Sequence, residues 1–96
     1  MADEEVKRRV RDVYSPAEAR WMARAMFWIY LRDEIRGHAS RDDEGRLVLP
    51  WTLNEAIGTL PRFQRLMRAL MERAGVPGTS RLDDLFREDP TAWYMR

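Results

Sequence analysis

The strongest constraint on the fold is an apolar run in the first half of the chain, from Trp21 to Leu31. The run reads WMARAMFWIYL, and Arg24 is its only charged residue. At the period of an α-helix, this composition places apolar side chains on two sides of the helix instead of one stripe. Such a helix has to be covered on both sides, either by the rest of its own chain or by a partner.

The residues around this run mark the boundaries of one long helix. Ser15 is suited to the N-cap, Pro16 to the first helical position and Glu18 to a capping box. Gly37 is expected to supply a left-handed stop at the other end. The sequence therefore predicts a helix over residues 15–36. Its apolar run is shorter than the roughly 20 residues that a membrane-spanning helix needs.

The two apolar sides of this helix lead to two different predictions. The side assigned to the core carries Ala19, Met22, Ala23, Met26, Ile29 and Tyr30. The other side is predicted to bind a protein partner, because its residues have the alternating three- and four-residue spacing of a helix–helix seam. These partner-binding residues are Trp21, Arg24, Trp28, Leu31 and Ile35. The alternative is that the chain covers this side itself, with Trp93, Tyr94 and Met95 folded over one of the two sides.

The rest of the sequence predicts shorter helices joined by turns. They cover residues 3–13, 53–57, 60–74 and about 82–87. An Asp-Glu-Gly-Arg turn before Leu47 favours a small hairpin. We therefore predict an all-α fold, a compact bundle of four to five helices with a minimal β-hairpin or extended segment near residues 38–50. One helical domain is expected over residues 1–96. The predicted core consists of Met22, Met26, Ile29, Tyr30, Phe63, Leu66, Met67, Leu70, Leu82 and Phe86.

The composition argues against most kinds of chemistry. Cysteine is absent and His38 is the only histidine, which removes thiol nucleophiles and metal sites built from cysteine or several histidines. No Gly-rich phosphate loop or nucleophile–base pair is visible. We expect a protein that is not an enzyme, with no catalytic residue, metal, cofactor or small-molecule substrate. Since the N-terminal sequence lacks a secretory signal, a cytoplasmic location is expected.

Residues 52–74 have the outline of a helix-turn-helix. Opposite the apolar stripe of the predicted helix 60–74, a polar face suited to phosphates and base edges carries Arg62, Gln64, Arg65 and Arg68. However, Ala56 and Gly58 are two positions apart, where the common motif separates its alanine and glycine by four. The plainer interpretation is an amphipathic helix with a solvated arginine face.

These patterns predict a non-enzymatic assembly or adaptor protein that acts through the helix over residues 15–36. Tryptophan, methionine and arginine are enriched in protein interfaces, and the chain contains four tryptophans. The expected partner is another protein or a second copy of this chain, as in a homo-oligomer. The alternative prediction is a nucleic-acid-binding regulator that uses the helix over residues 60–74. The net charge of +1 supplies no global attraction for nucleic acid or membrane.

Overall fold

The structure, a computed structural model, describes residues 2–87. Within this range, five helices and a two-stranded antiparallel ribbon follow one another along the chain. The helices are α1 (Asp3–Val13), α2 (Pro16–His38), α3 (Leu53–Gly58), α4 (Gln64–Ala74) and α5 (Leu82–Arg87), and the strands are β1 (Ser40–Arg41) and β2 (Leu47–Val48). The predicted all-α fold with a minimal hairpin is confirmed. The predicted contact of Trp93, Tyr94 and Met95 lies outside the described residues.

Capping boxes begin two of the helices. At the start of α2, the Ser15 hydroxyl accepts a hydrogen bond from the Glu18 N–H, and the Glu18 carboxylate accepts one from the Ser15 N–H. Thr52 and Glu55 make the same exchange at the start of α3. Because a backbone N–H donates to each carboxylate, the pKa values of Glu18 and Glu55 lie below their ordinary value. Both predicted caps are therefore confirmed.

Two glycines predicted to end helices behave differently. Gly75 ends α4 in the left-handed conformation, with φ of 72°. Gly37, by contrast, lies inside α2, so the predicted stop at this residue is wrong. The helix continues to His38 and ends where Ala39 adopts extended backbone angles, which lead into β1. Glycine permits a left-handed turn without requiring one, and here the hairpin sets the end of the helix.

The hairpin after α2 is held by a side chain in its turn. Ser40 pairs with Val48 and Arg41 pairs with Leu47 across the ribbon. In the turn, the Asp42 carboxylate accepts hydrogen bonds from the backbone N–H groups of residues 44 and 46 at 2.9 and 2.8 Å. Residue 45 is a glycine with φ of 77°, as a tight turn requires.

Backbone pairing between residues 49–54 and 78–82 places α5 against α2. The Leu53 N–H donates to the Ser80 carbonyl at 2.8 Å, and the Leu82 N–H donates to the Trp51 carbonyl at 3.0 Å. The Arg81 guanidinium adds a hydrogen bond to a carbonyl in the same segment. As a result, a short terminal helix is fixed beside the long one.

To the core, α2 contributes a line of side chains four residues apart, and both α4 and α5 pack against this helix. This line consists of Ala19, Ala23, Phe27, Leu31 and Ile35, all buried. Five predicted core residues are buried as expected, namely Met26, Met67, Leu70, Leu82 and Phe86. Met22, Phe63 and Leu66 are partly buried against the core. Ile29 and Tyr30 are 67% and 47% exposed, so their assignment to the core was wrong.

Candidate interaction surfaces

The five predicted partner-binding residues of α2 differ in how far they are buried. Trp28, Leu31 and Ile35 are buried in the core, with 3%, 7% and 2% of their surface exposed. Arg24 is half-buried, and its guanidinium donates to a backbone carbonyl of α5 at 3.3 Å. Trp21 is 58% exposed. The chain's own helices therefore cover most of this seam, and Trp21 alone among the five presents a large area to a partner.

The buried Trp28 also contacts an arginine side chain. The guanidinium of Arg36 lies 5.2 Å from the ring centroid of Trp28. This distance is within the range of a cation–π interaction. Since Trp28 is buried, the contact stabilises the fold of this chain and does not mark a free surface.

The exposed apolar part of α2 lies on another line. Trp21 and Ile29 are 58% and 67% exposed, and the half-buried Ala25 lies midway between them. Four-residue spacing places these three side chains next to one another along the helix. Tyr30, the next residue after Ile29, points to another side of the helix and stacks on Phe63 with ring centroids 4.5 Å apart. We call the line of Trp21, Ala25 and Ile29 the outer face of α2.

Charged residues and a groove border the outer face. Glu18 precedes Trp21 by one turn, and Arg32 follows Ile29 by three residues; both side chains are exposed. Near Arg32, α2 bends at Leu31, whose φ and ψ of −123° and 19° depart from helical values. Around this bend is a groove of about 500 Å³. It is lined by Trp28, Ile29, Tyr30, Arg32, Asp33 and Glu34.

The four predicted nucleic-acid-binding residues do not all lie on α4, because Arg62 is in a short 3-10 helix (Pro61–Phe63) that precedes it. Arg62, Arg65 and Arg68 are exposed, and Gln64 is half-buried. Gln64, Arg65 and Arg68 line a second cleft of about 500 Å³ between α1, α3 and α4, whereas Arg62 does not. The cleft also contains acidic side chains. One of them, Asp3, forms an ion pair with Arg65 at 3.2 Å.

A second ion pair crosses the same cleft. The Lys7 ammonium lies 3.0 Å from the Glu72 carboxylate. Their hydrogen bond and attraction raise the pKa of Lys7 above its ordinary value. Carboxylates therefore alternate with the cations along this cleft, and its electrostatic potential is not uniformly positive.

The polar residues near the hairpin serve structural contacts. His38 is the last residue of α2, where its Nδ1 is 3.0 Å from the Glu34 carbonyl and its ring contacts Trp51 at 5.0 Å between centroids. Asp42 holds the hairpin turn. Over residues 2–87, no three side chains among histidines and acids are grouped in a way that would hold a metal ion.

Along residues 2–87, none of the helices combines the length and the apolar content that crossing a bilayer demands. No protein-family model, no curated protein and no solved structure matches this chain.

Proposed function

We propose that this protein is a non-enzymatic helical assembly protein that associates with a second copy of itself through the outer face of α2. The observation that carries the proposal is the exposure of Trp21 and Ile29 on a helix whose opposite side is packed into the core. Single exposed apolar residues are ordinary, but two large ones on the same line of a helix, separated only by an alanine, form a continuous apolar strip of the kind found in protein interfaces.

The charges around this face favour a second copy as the partner. The face has an acid, Glu18, at one end and a base, Arg32, at the other end. A copy of the same surface therefore supplies opposite charge for each end, as a self-complementary interface requires. In addition, a chain with a net charge of +1 meets little long-range repulsion from its own copies.

The size of the face sets the expected affinity. Burying apolar surface contributes about 25 cal/mol per Å², from which the cost of association has to be subtracted. One helix from each copy places the contact at the small end of specific protein interfaces, below about 1,200 Å². We therefore expect a dimer with a dissociation constant in the micromolar range.

The test compares two variants that introduce the same charge at equally exposed positions. Ile29 and Val13 are both 67% exposed, but Val13 ends α1 and lies off the outer face. Molar mass is measured by light scattering from about 5 to about 500 μM, a range that brackets a micromolar dissociation constant. We expect the wild type and Val13→Glu to pass from monomer to dimer, and Ile29→Glu to remain monomeric.

Two results would contradict the proposal. One is a wild-type chain that stays monomeric over the whole concentration range. The other is an Ile29→Glu variant that dimerises as well as Val13→Glu does. Circular dichroism of both variants checks that a change in molar mass is not caused by unfolding. We expect both variants to keep the helix content of the wild type, because neither exposed position supports the core.

The nucleic-acid alternative stays a prediction. Arg62, Arg65 and Arg68 are accessible, which is necessary for contacts with phosphates. The ion pairs of Asp3 and Glu72, however, place negative charge beside them. The apolar outer face therefore supports self-association better than the arginine face supports binding to nucleic acid.

A further inference from the structure

We propose that two copies pair through α2 as an antiparallel, two-fold symmetric helix pair centred on Ala25. This inference rests on the proposed self-association and adds its geometry. In such a pair, residues at equal distances before and after Ala25 face each other across the interface. Trp21 then faces the partner's Ile29, and Glu18 faces the partner's Arg32.

The symmetry of the outer face and its flanking charges is the first argument. Glu18, Trp21, Ala25, Ile29 and Arg32 are spaced by three, four, four and three residues, so the spacing reads the same in both directions. A small residue lies at the centre, large apolar residues lie on either side and opposite charges lie at the ends. The central alanine allows two helix axes to approach closely.

The charges of Glu18 and Arg32 favour the antiparallel orientation over the parallel one. In an antiparallel pair, each Glu18 meets the partner's Arg32, and the contact occurs twice by symmetry. In a parallel pair, Glu18 would meet Glu18 and Arg32 would meet Arg32, so that like charges would face each other at both ends. Because like charges across an interface disfavour binding, the antiparallel orientation is preferred.

The groove at the bend of α2 provides a site for Trp21. Ile29 lines this groove, and the antiparallel arrangement brings Trp21 of each copy onto the partner's Ile29. The volume of about 500 Å³ is large enough for part of an indole ring. Asp33 and Glu34 on the rim offer carboxylate acceptors for the indole N–H, which usually needs a partner when it is buried.

Disulfide trapping tests the orientation directly, because the chain contains no cysteine. Ala25→Cys is expected to form a cross-linked dimer under mild oxidation, since the two copies of residue 25 meet at the centre. Arg32→Cys is expected not to cross-link with itself. Residue 32 lies seven positions from the centre and just past the bend at Leu31, so in the antiparallel pair its two copies lie on opposite sides of residue 25, on the order of 20 Å apart. A disulfide requires Cα atoms within about 7 Å.

Charge reversal provides the second test. Arg32→Glu places a carboxylate opposite the partner's Glu18, so we expect the dissociation constant to rise about tenfold. The control Arg8→Glu makes the same charge change at an exposed position of α1 and is expected to leave the dissociation constant unchanged. Adding Glu18→Gln to Arg32→Glu should recover part of the loss, because glutamine preserves the capping box without the charge.

The outcomes separate the geometry from the proposed function. Self-cross-linking of Arg32→Cys, or equal effects of Arg32→Glu and Arg8→Glu, would overturn the antiparallel pair and leave self-association intact. A wild-type chain that stays monomeric would overturn both the geometry and the proposed self-association. An Ala25→Cys cross-link without an Arg32→Cys cross-link, together with the charge effect, supports the geometry.

Discussion

Trp21 and Trp28 are seven residues apart on α2, which places them within about 20° of each other around an ideal helix. Even so, Trp21 is 58% exposed and Trp28 is 3% exposed. The angle around the helix therefore does not decide burial at these positions. The neighbouring elements decide it, because they cover the helix at the level of Trp28 and leave it open at the level of Trp21. Residue periodicity alone does not contain this information.

The two tryptophans are expected to respond differently to truncation. Trp28→Ala should lower the free energy of unfolding by about 3–5 kcal/mol, because it removes a large side chain from the packed core. Trp21→Ala should change it by less than about 0.5 kcal/mol when measured on dilute monomer, and should weaken self-association instead. Urea denaturation at low protein concentration measures the first quantity. Equal losses of stability in the two variants would show that Trp21 is also a core residue.

At the scale of single elements, sequence reasoning succeeded wherever the signal was local. The capping boxes at Ser15 and Thr52 involve residues three positions apart, and both are present. The predicted end of α4 at Gly75 is also present, because Gly75 itself adopts the left-handed conformation that ends the helix. The predicted end of α2 at Gly37 was wrong, because the hairpin that follows the helix sets its end. That hairpin depends on pairing between residues beyond Gly37. Ends of helices are thus predictable when the cap itself is the cause.

Gly37 and Gly75 form a matched pair for testing this distinction. A Cβ added at either residue meets no atom within 4 Å, so neighbouring atoms do not bias the comparison. Gly37→Ala should raise the free energy of unfolding by about 0.5 kcal/mol, because alanine is a better helix residue than glycine. Gly75→Ala should lower it by about 1 kcal/mol, because φ is positive there. Thermal or urea unfolding of both variants gives the signs, and the same sign at both positions would contradict the assigned conformations.

At the scale of the whole molecule, the difference in length between helices explains why part of α2 stays exposed, which the sequence alone did not predict. α2 has 23 residues, whereas α4 has 11 and α5 has 6. Neighbours this short cover only part of a helix that is apolar on two sides. The sequence predicted the excess of apolar surface on α2, but it assigned Ile29 to the core and the buried Trp28 to a partner. Which part stays uncovered depends on how the short helices are placed, and this follows from contacts distant in sequence.

Self-association through the uncovered part should link stability to concentration. Because only folded chains dimerise, mass action predicts that the melting temperature of the wild type rises with protein concentration. The Ile29→Glu variant should melt at a temperature that does not depend on concentration. Scanning calorimetry or circular dichroism at several concentrations measures both. A wild-type melting temperature that is independent of concentration, at concentrations where light scattering shows a dimer, would indicate that dimerisation does not require the folded helix.

The two lines of α2 have no side chain in common, and this has a consequence for how the protein can change over evolutionary time. Phe27 and Leu31 belong to the line that maintains the fold, whereas Trp21 and Ile29 belong to the outer face. Substitutions in the outer face can therefore accumulate without first requiring compensating changes in the core. A single helix thus allows its buried line and its outer face to be selected separately.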